Sequence, residues 1–203
     1  MKRLWVHEVL RVYGDRLVDD MDIRWLVEEI KKTVRDYMDD KMEHLFNDLL
    51  EGSETEITEL QLRNLVYCDF QDPMADKKLY VEVDDWDKLA FVVDDYLTEY
   101  NELSRTPMNL VLFRFAIEHL SKICRVMMQP RSHAMLIGVG GSGRQSLTRL
   151  AVHISDYDLF QVEMSQQYGL HEWHEDLKTI LKRSAASDLH TAFLFMDTQI
   201  KEE

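Results

Sequence analysis

Cysteine, proline and glycine are all scarce in this 203-residue chain, at two, three and seven residues. The two cysteines, Cys68 and Cys124, lack zinc spacing and are too few for a disulfide scaffold, so the expectation is two reduced thiols in a cytosolic compartment. No apolar run approaches the roughly 18–20 residues that cross a membrane, and no signal-peptide pattern opens the chain. Internal repeats and low-complexity tracts are also missing. Basic charge is short: 24 Lys and Arg face 38 Asp and Glu, for a formal net charge of −14. That field argues against nucleic acid and anionic membrane as direct partners. Residues 131–203 hold ten acids and seven bases, which leaves 28 against 17 for residues 1–130, so the excess lies towards the N-terminus. With 45% hydrophobic residues the chain can still bury the core of one or two domains, as a soluble protein does.

What is present begins with apolar stripes at helical spacing. Ile23, Leu26, Val27, Ile30, Val34 and Tyr37 form one, and Trp86, Leu89, Ala90, Val93, Leu97 and Tyr100 a second. From Met108, the positions Val111, Leu112, Phe115, Ala116, Leu120, Ile123 and Met127 give a third. The plain meaning of such stripes is core packing. Residues 51–56 read as a surface loop, and Tyr67 to Asp76, with Asp72-Pro73, as an ordered connector near a domain boundary.

The chemistry concentrates further on. Gly138-Val139-Gly140-Gly141-Ser142-Gly143-Arg144-Gln145-Ser146 has the outline of the phosphate-binding pattern G-x-x-x-x-G-K-[ST], with Gly138 and Gly143 at the right spacing. In that pattern backbone N–H groups cradle phosphates, the Lys reaches the β/γ-phosphates and the hydroxyl takes Mg²⁺. Here the Lys position is Arg144 and the hydroxyl position is Gln145, with Ser146 one residue later. The apolar run His133 to Ile137 predicts a buried strand entering the loop. Leu147, Leu150, Ala151 and Ile154 predict a helix from about Gly143, whose N-terminal dipole and free N–H groups favour an anion.

A second signal lies near the C-terminus. Thr191 to Met196 reads as a strand buried on both faces, ending in Asp197, where parallel sheets bind ligands. Asp197 is the candidate Mg²⁺ acid of the nucleotide, while Thr198 stands where a water-polarising Glu would be expected and cannot serve as a base. Binding should therefore survive better than hydrolysis, and no residue is assigned a catalytic role. Between the two motifs, Phe160, Val162 and Met164 alternate as a strand does, and Trp173, Leu177, Ile180 and Leu181 recur as a helix does. The sum is an α/β core with a parallel sheet and right-handed crossovers, behind a helical N-terminal segment.

Two patterns are decoys. His171 and His174 stand at i, i+3 and not at the i, i+4 spacing that zinc needs on a helix. The pairs Asp19-Asp20, Asp39-Asp40, Asp84-Asp85 and Asp94-Asp95 lack the pattern of a calcium loop, and Asp84-Asp85 reads as a helix cap.

The loop string through Ala151 and the string Phe193-Leu194-Phe195-Met196-Asp197-Thr198-Gln199-Ile200-Lys201-Glu202-Glu203 resemble the fourth AAA+ module of axonemal dynein heavy chains. Met108 to Leu120 extends the resemblance, and Trp5 to Leu17 is similar to the helical lid of the third module. Residues 1–66 then correspond to that lid and residues 67–203 to the N-terminal part of a P-loop AAA+ α/β core. The resemblance implies a slice of a six-module microtubule motor of the cilium and flagellum axoneme, in the cytoplasm and cytoskeleton. It also implies ATP or ADP at the loop, with Mg²⁺ possible at Asp197. The implied partners are the other AAA+ modules of the ring, intermediate and light chains, and microtubules. Further strands would lie beyond Glu203, so Phe193, Leu194 and Phe195 are expected to be incompletely covered. The reading is a nucleotide-binding, weakly or non-hydrolysing module; the alternatives are a slow ATPase and a nucleotide-free architectural or adaptor piece.

Overall fold

The computed structural model describes residues 1–50, 52, 55–186 and 188–200, so Glu51, Ser53 and Glu54 of the expected surface loop lie outside the described residues. The chain divides into two compact units, Met1–Trp86 and Asp87–Glu203.

The first unit is mostly helical. Helix α1 (Lys2–Val12) and helix α2 (Asp20–Met38) are followed by the short helices α3 (Met42–Leu45) and α4 (Glu59–Leu62). A small antiparallel ladder then pairs β1 (Tyr67–Cys68) with β2 (Val81–Glu82). Asp19 starts α2 by accepting the Met21 amide at 2.8 Å, and Asp39 ends it in the left-handed conformation, φ 49°. Thr58 and Gln61 close a capping box around α4. Leu26, Val27, Ile30 and Val34 of α2 are buried with Val6, Leu10, Phe46, Ile57 and Leu62. Tyr37, expected on the same stripe, is 86% exposed, while Met38 beside it in the last turn packs against the core.

Polar contacts lock this unit. Arg3 donates to Asp48, Glu82 and the Leu45 carbonyl and lies over the Phe46 ring at 4.7 Å. Burial works against the Arg3 charge, but its hydrogen bonds to Glu82 and Asp48 outweigh that and hold the guanidinium above its ordinary value. His7 is buried, with Nδ1 3.1 Å from the Leu65 carbonyl, to which it donates, and Nε2 2.9 Å from the Tyr80 hydroxyl. Residues 67–76, expected as a connector, open with a buried strand instead, since Tyr67, Cys68 and Phe70 all pack inside.

The second unit holds helices α5 (Trp86–Leu103), α6 (Arg114–Met127), α7 (Arg144–Ile154) and α8 (Leu170–Ala186), with strands β3 (Asp158–Gln161) and β4 (Thr191–Leu194). Its core takes Leu89, Val93 and Leu97 from α5, Ile117, Leu120 and Cys124 from α6, and Leu150, Ala151 and Ile154 from α7. Fully covering one such aliphatic side chain contributes about 1.5–3 kcal/mol. Asn101 pins the chain after α5, donating to the Met108 carbonyl at 2.9 Å and accepting its amide at 2.7 Å. Tyr157 donates to the Met127 carbonyl at 2.7 Å, closing the end of α6. Val111 and Phe115 fall off the expected stripe, at 81% and 59% exposed. Helix α6 begins only at Arg114, which leaves Val111 outside it and Phe115 off its buried side.

Strands β3 and β4 pair in parallel, Asp158 opposite Thr191 through Gln161 opposite Leu194. Three expectations are corrected here. Residues 132–139 form neither helix nor strand and pair with no strand among the described residues, and Met135, Ile137 and Val139 are 80%, 86% and 81% exposed. An apolar run becomes a buried strand only where a neighbour supplies its hydrogen bonds and cover. The strand expected over Thr191–Met196 is four residues long and is not buried on both faces. Phe193 and Phe195, 39% and 46% exposed, are incompletely covered as expected. Finally, α8 is placed where its periodicity predicts, yet no residue of it is fully buried, and Leu181 is 70% exposed.

Candidate functional site

The loop is built from backbone conformations that glycine supplies cheaply. Gly141 and Gly143 both lie in the left-handed region, φ 79° and 76°, where an L side chain is strained. Gly138 is closely covered instead: a Cβ there would fall 3.2 Å from the Ser142 Oγ and 3.6 Å from the Arg144 Cδ. The Ser142 amide donates back to the Val139 carbonyl at 3.3 Å, which makes the tight turn. Gly143 is the N-cap of α7, and its carbonyl accepts the first helical bond from the Leu147 amide at 2.8 Å. The amides of Arg144, Gln145 and Ser146 therefore occupy the first turn, where a helix has no acceptor of its own to offer.

Around this turn, Arg144 folds back over the loop and donates from Nη1 to the Leu136 carbonyl and from Nη2 to the Val139 carbonyl, each at 3.3 Å. Gln145 is exposed and Ser146 half-buried. Val139, Gly140, Gly141 and Ser142 form the exposed crown. The arrangement has the features of a phosphate cradle: a compact turn in which a Cβ at Gly138 would crowd the Ser142 side chain, a helix N-terminus and a cationic fork.

Helix α7 packs on both β3 and β4. Arg149 donates to the Gln161 Oε1 at 2.9 Å, and Gln161 in turn reaches the Met196 sulfur at 3.7 Å. Asp197 opens a 3₁₀ turn, Asp197–Gln199, directly after β4, exposed and accepting the Thr198 amide at 2.8 Å. The residue that fixes this turn is Gln199. It is buried, accepts the Met196 amide at 2.8 Å and donates to the Val162 carbonyl at 2.7 Å, so the carboxyl ends of β3 and β4 are tied together. Sequence reading passed over Gln199, because a glutamine in a polar stretch carries no signal of burial. Asp197 thus stands at the carboxyl end of a parallel pair, the usual place for a ligand-facing residue.

Metal fits less well than phosphate. No group of three or more His, Cys, Asp or Glu suited to a metal occurs among the described residues. Asp197 supplies one carboxylate, and Gln145 replaces the hydroxyl that a magnesium-bound nucleotide would use. A separate cavity of about 540 Å³ opens beside β3, lined by Phe160, Glu163, Tyr168, Asp176 and Arg183 among others. None of the loop residues lines it, and Val139 to Ser142 are exposed.

Loop, following helix and parallel pair define a P-loop α/β domain of the AAA type. Residues 108–203 match the family described as P-loop containing dynein motor region D4. The chain is 43% identical to dynein axonemal heavy chain 3 of Mus musculus over 202 residues, which cover 99% of this chain and 5% of that protein. It is 45% identical to dynein axonemal heavy chain 12 of Homo sapiens over 183 residues, 89% of this chain and 6% of that one. With dynein axonemal heavy chain 1 of Homo sapiens the identity is 38% over 201 residues, 99% of this chain and 4% of that one. The chain is a homologue of axonemal dynein heavy chains along nearly its whole length, and residues 108–203 are a dynein motor region D4 domain. It spans only 4–6% of the length of these relatives.

Proposed function

We propose that the chain is a nucleotide-binding, weakly or non-hydrolysing AAA+ segment of an axonemal dynein heavy chain, a structural or regulatory part of the microtubule motor. The observation that carries the reading is the turn at Gly138–Ser146, with its left-handed glycines and the Arg144 fork, at the N-terminus of α7. ADP or ATP would lay its phosphates against the first-turn amides of α7, with Arg144 as counter-charge. Asp197 would offer a carboxylate to a magnesium carried by the nucleotide. Hydrolysis lacks a base, since Thr198 follows Asp197 and a hydroxyl of high pKa does not deprotonate water.

In the same reading, residues 1–66 are lid-type helices of a third module and residues 67–203 the start of a fourth. The partners are the remaining modules of the ring, intermediate and light chains and, through the whole motor, microtubules of the cilium or flagellum. The test is ADP retention by the full-length protein. Gly143→Val puts a branched side chain where phosphate must approach the backbone, and nucleotide at this site should be lost. Undiminished occupancy in that variant contradicts the assignment, and robust turnover with the other ring sites disabled contradicts the non-hydrolysing part.

A further inference from the structure

We propose that Arg144 is a latch: it holds the loop together through two backbone carbonyls and hands its guanidinium to phosphate on binding, so that binding is coupled to the backbone of residues 136–139. The inference rests on the phosphate-binding reading above. Arg144 Nη1 and Nη2 donate to two carbonyls, Leu136 and Val139, on either side of Gly138, each at 3.3 Å. The side chain runs close over Gly138 to do so, with Cδ and Nε 3.6 and 3.7 Å from the point a Cβ would occupy. One planar fork therefore spans the entry strand segment and the crown of the turn. A lysine ammonium, a compact point charge, does not present two coplanar donors in this way.

The latch is weak enough to open. Both contacts are longer than the usual range for N–H···O bonds, and both acceptors are neutral. A phosphate offers the same fork charged oxygens, with shorter bonds roughly twice as strong. Exchange therefore runs towards phosphate. After it, the Val139 carbonyl still has the Ser142 amide, while the Leu136 carbonyl is left open to another donor. Leu136 belongs to the stretch 132–139 that pairs with no strand among the described residues, and a neighbouring strand's amide is the natural replacement.

The test is amide hydrogen exchange at Ser142 in the full-length protein, whose acceptor is the Val139 carbonyl that Arg144 also grips. Wild type, Arg144→Lys and Arg144→Ala are compared with and without ADP. Without ADP, both variants should exchange roughly two- to tenfold faster than wild type, the range expected from losing one or two modest hydrogen bonds. With ADP, wild type and Arg144→Lys should both be protected, and Arg144→Ala should need roughly tenfold more ADP. Equal exchange in all three without ADP, with protection by ADP intact, overturns the latch alone. ADP that protects none of them overturns the nucleotide reading and the hand-over with it. A second readout needs no variant: the Arg144 guanidinium nitrogen resonances of wild type should shift on ADP binding, and their staying fixed while ADP is bound overturns the hand-over.

Discussion

Gly143→Ala and Gly140→Ala form a pair that isolates the backbone of the loop from everything else. An added Cβ meets no atom within 4 Å at either position, so neither substitution creates a clash. The two glycines differ in conformation: Gly143 has φ 76°, whereas Gly140 is outside the left-handed region. Alanine in that region costs about 1–2 kcal/mol. Alanine also stiffens the unfolded chain, which stabilises the fold by about 0.4–1 kcal/mol at either site. That contribution is common to both variants and cancels in their difference, leaving the strain of about 1–2 kcal/mol. At about 4 °C per kcal/mol for a unit of this size, Gly143→Ala should melt about 4–8 °C below Gly140→Ala by scanning calorimetry. Gly140→Ala should melt at or slightly above wild type. Equal melting of the two variants would refute the left-handed assignment at Gly143, and with it the geometry of the turn.

Two further perturbations test the parts that hold the site and the first unit. Gln199→Leu removes the donor to the Val162 carbonyl and the acceptor of the Met196 amide; leaving both unsatisfied should cost about 2–4 kcal/mol in denaturant unfolding, and an unchanged midpoint would contradict the tie between β3 and β4. Arg3→Ala should cost about 1–3 kcal/mol, because it strips Glu82 and Asp48 of their partner and uncovers the Phe46 ring. The same variant should change the acid limb. Hydrogen bonds from Arg3 hold Asp48, and those from Lys2 and then His44 hold Asp40, below the ordinary carboxylate range. Their contribution is therefore full above about pH 4 and is lost as pH falls through the depressed values. Acid titration of stability in Arg3→Ala should lose the Asp48 part of that slope and keep the Asp40 part, and an identical slope would contradict the pairing.

What was legible in the sequence was local. Helix α7 and its loop follow from glycine spacing and from apolar residues three and four apart, both confined to one stretch of chain. The interiors of α2, α5 and α6 were legible for the same reason: Leu26, Ile30, Leu89, Val93 and Leu120 are all buried. The misses are long-range. Tyr37 and Leu181 keep the helical period yet are exposed, because the period does not supply an element to cover them. His133–Ile137 has the composition of a strand, but composition does not supply a partner, and none pairs with it among the described residues. The short ladder of β1 and β2 joins residues more than a dozen positions apart, so Tyr67 and Cys68 read as connector. Gln199 is the instructive case at the site. Its role comes from a carbonyl on another strand, Val162, which no local pattern around Gln199 reveals.

Each compact unit carries one of the two cysteines, and both are sealed: Cys68 and Cys124 are each 1% exposed. Burial pushes the Cys68 thiol up to about 12, so it is scarcely nucleophilic while the fold is intact. A thiol reagent at neutral pH therefore waits for a unit to open before it can react. The chain contains, in effect, two clocks for opening, one in each half. Peptide mapping after timed alkylation would read them separately, and would tell whether ADP slows only the half that holds the loop or steadies both.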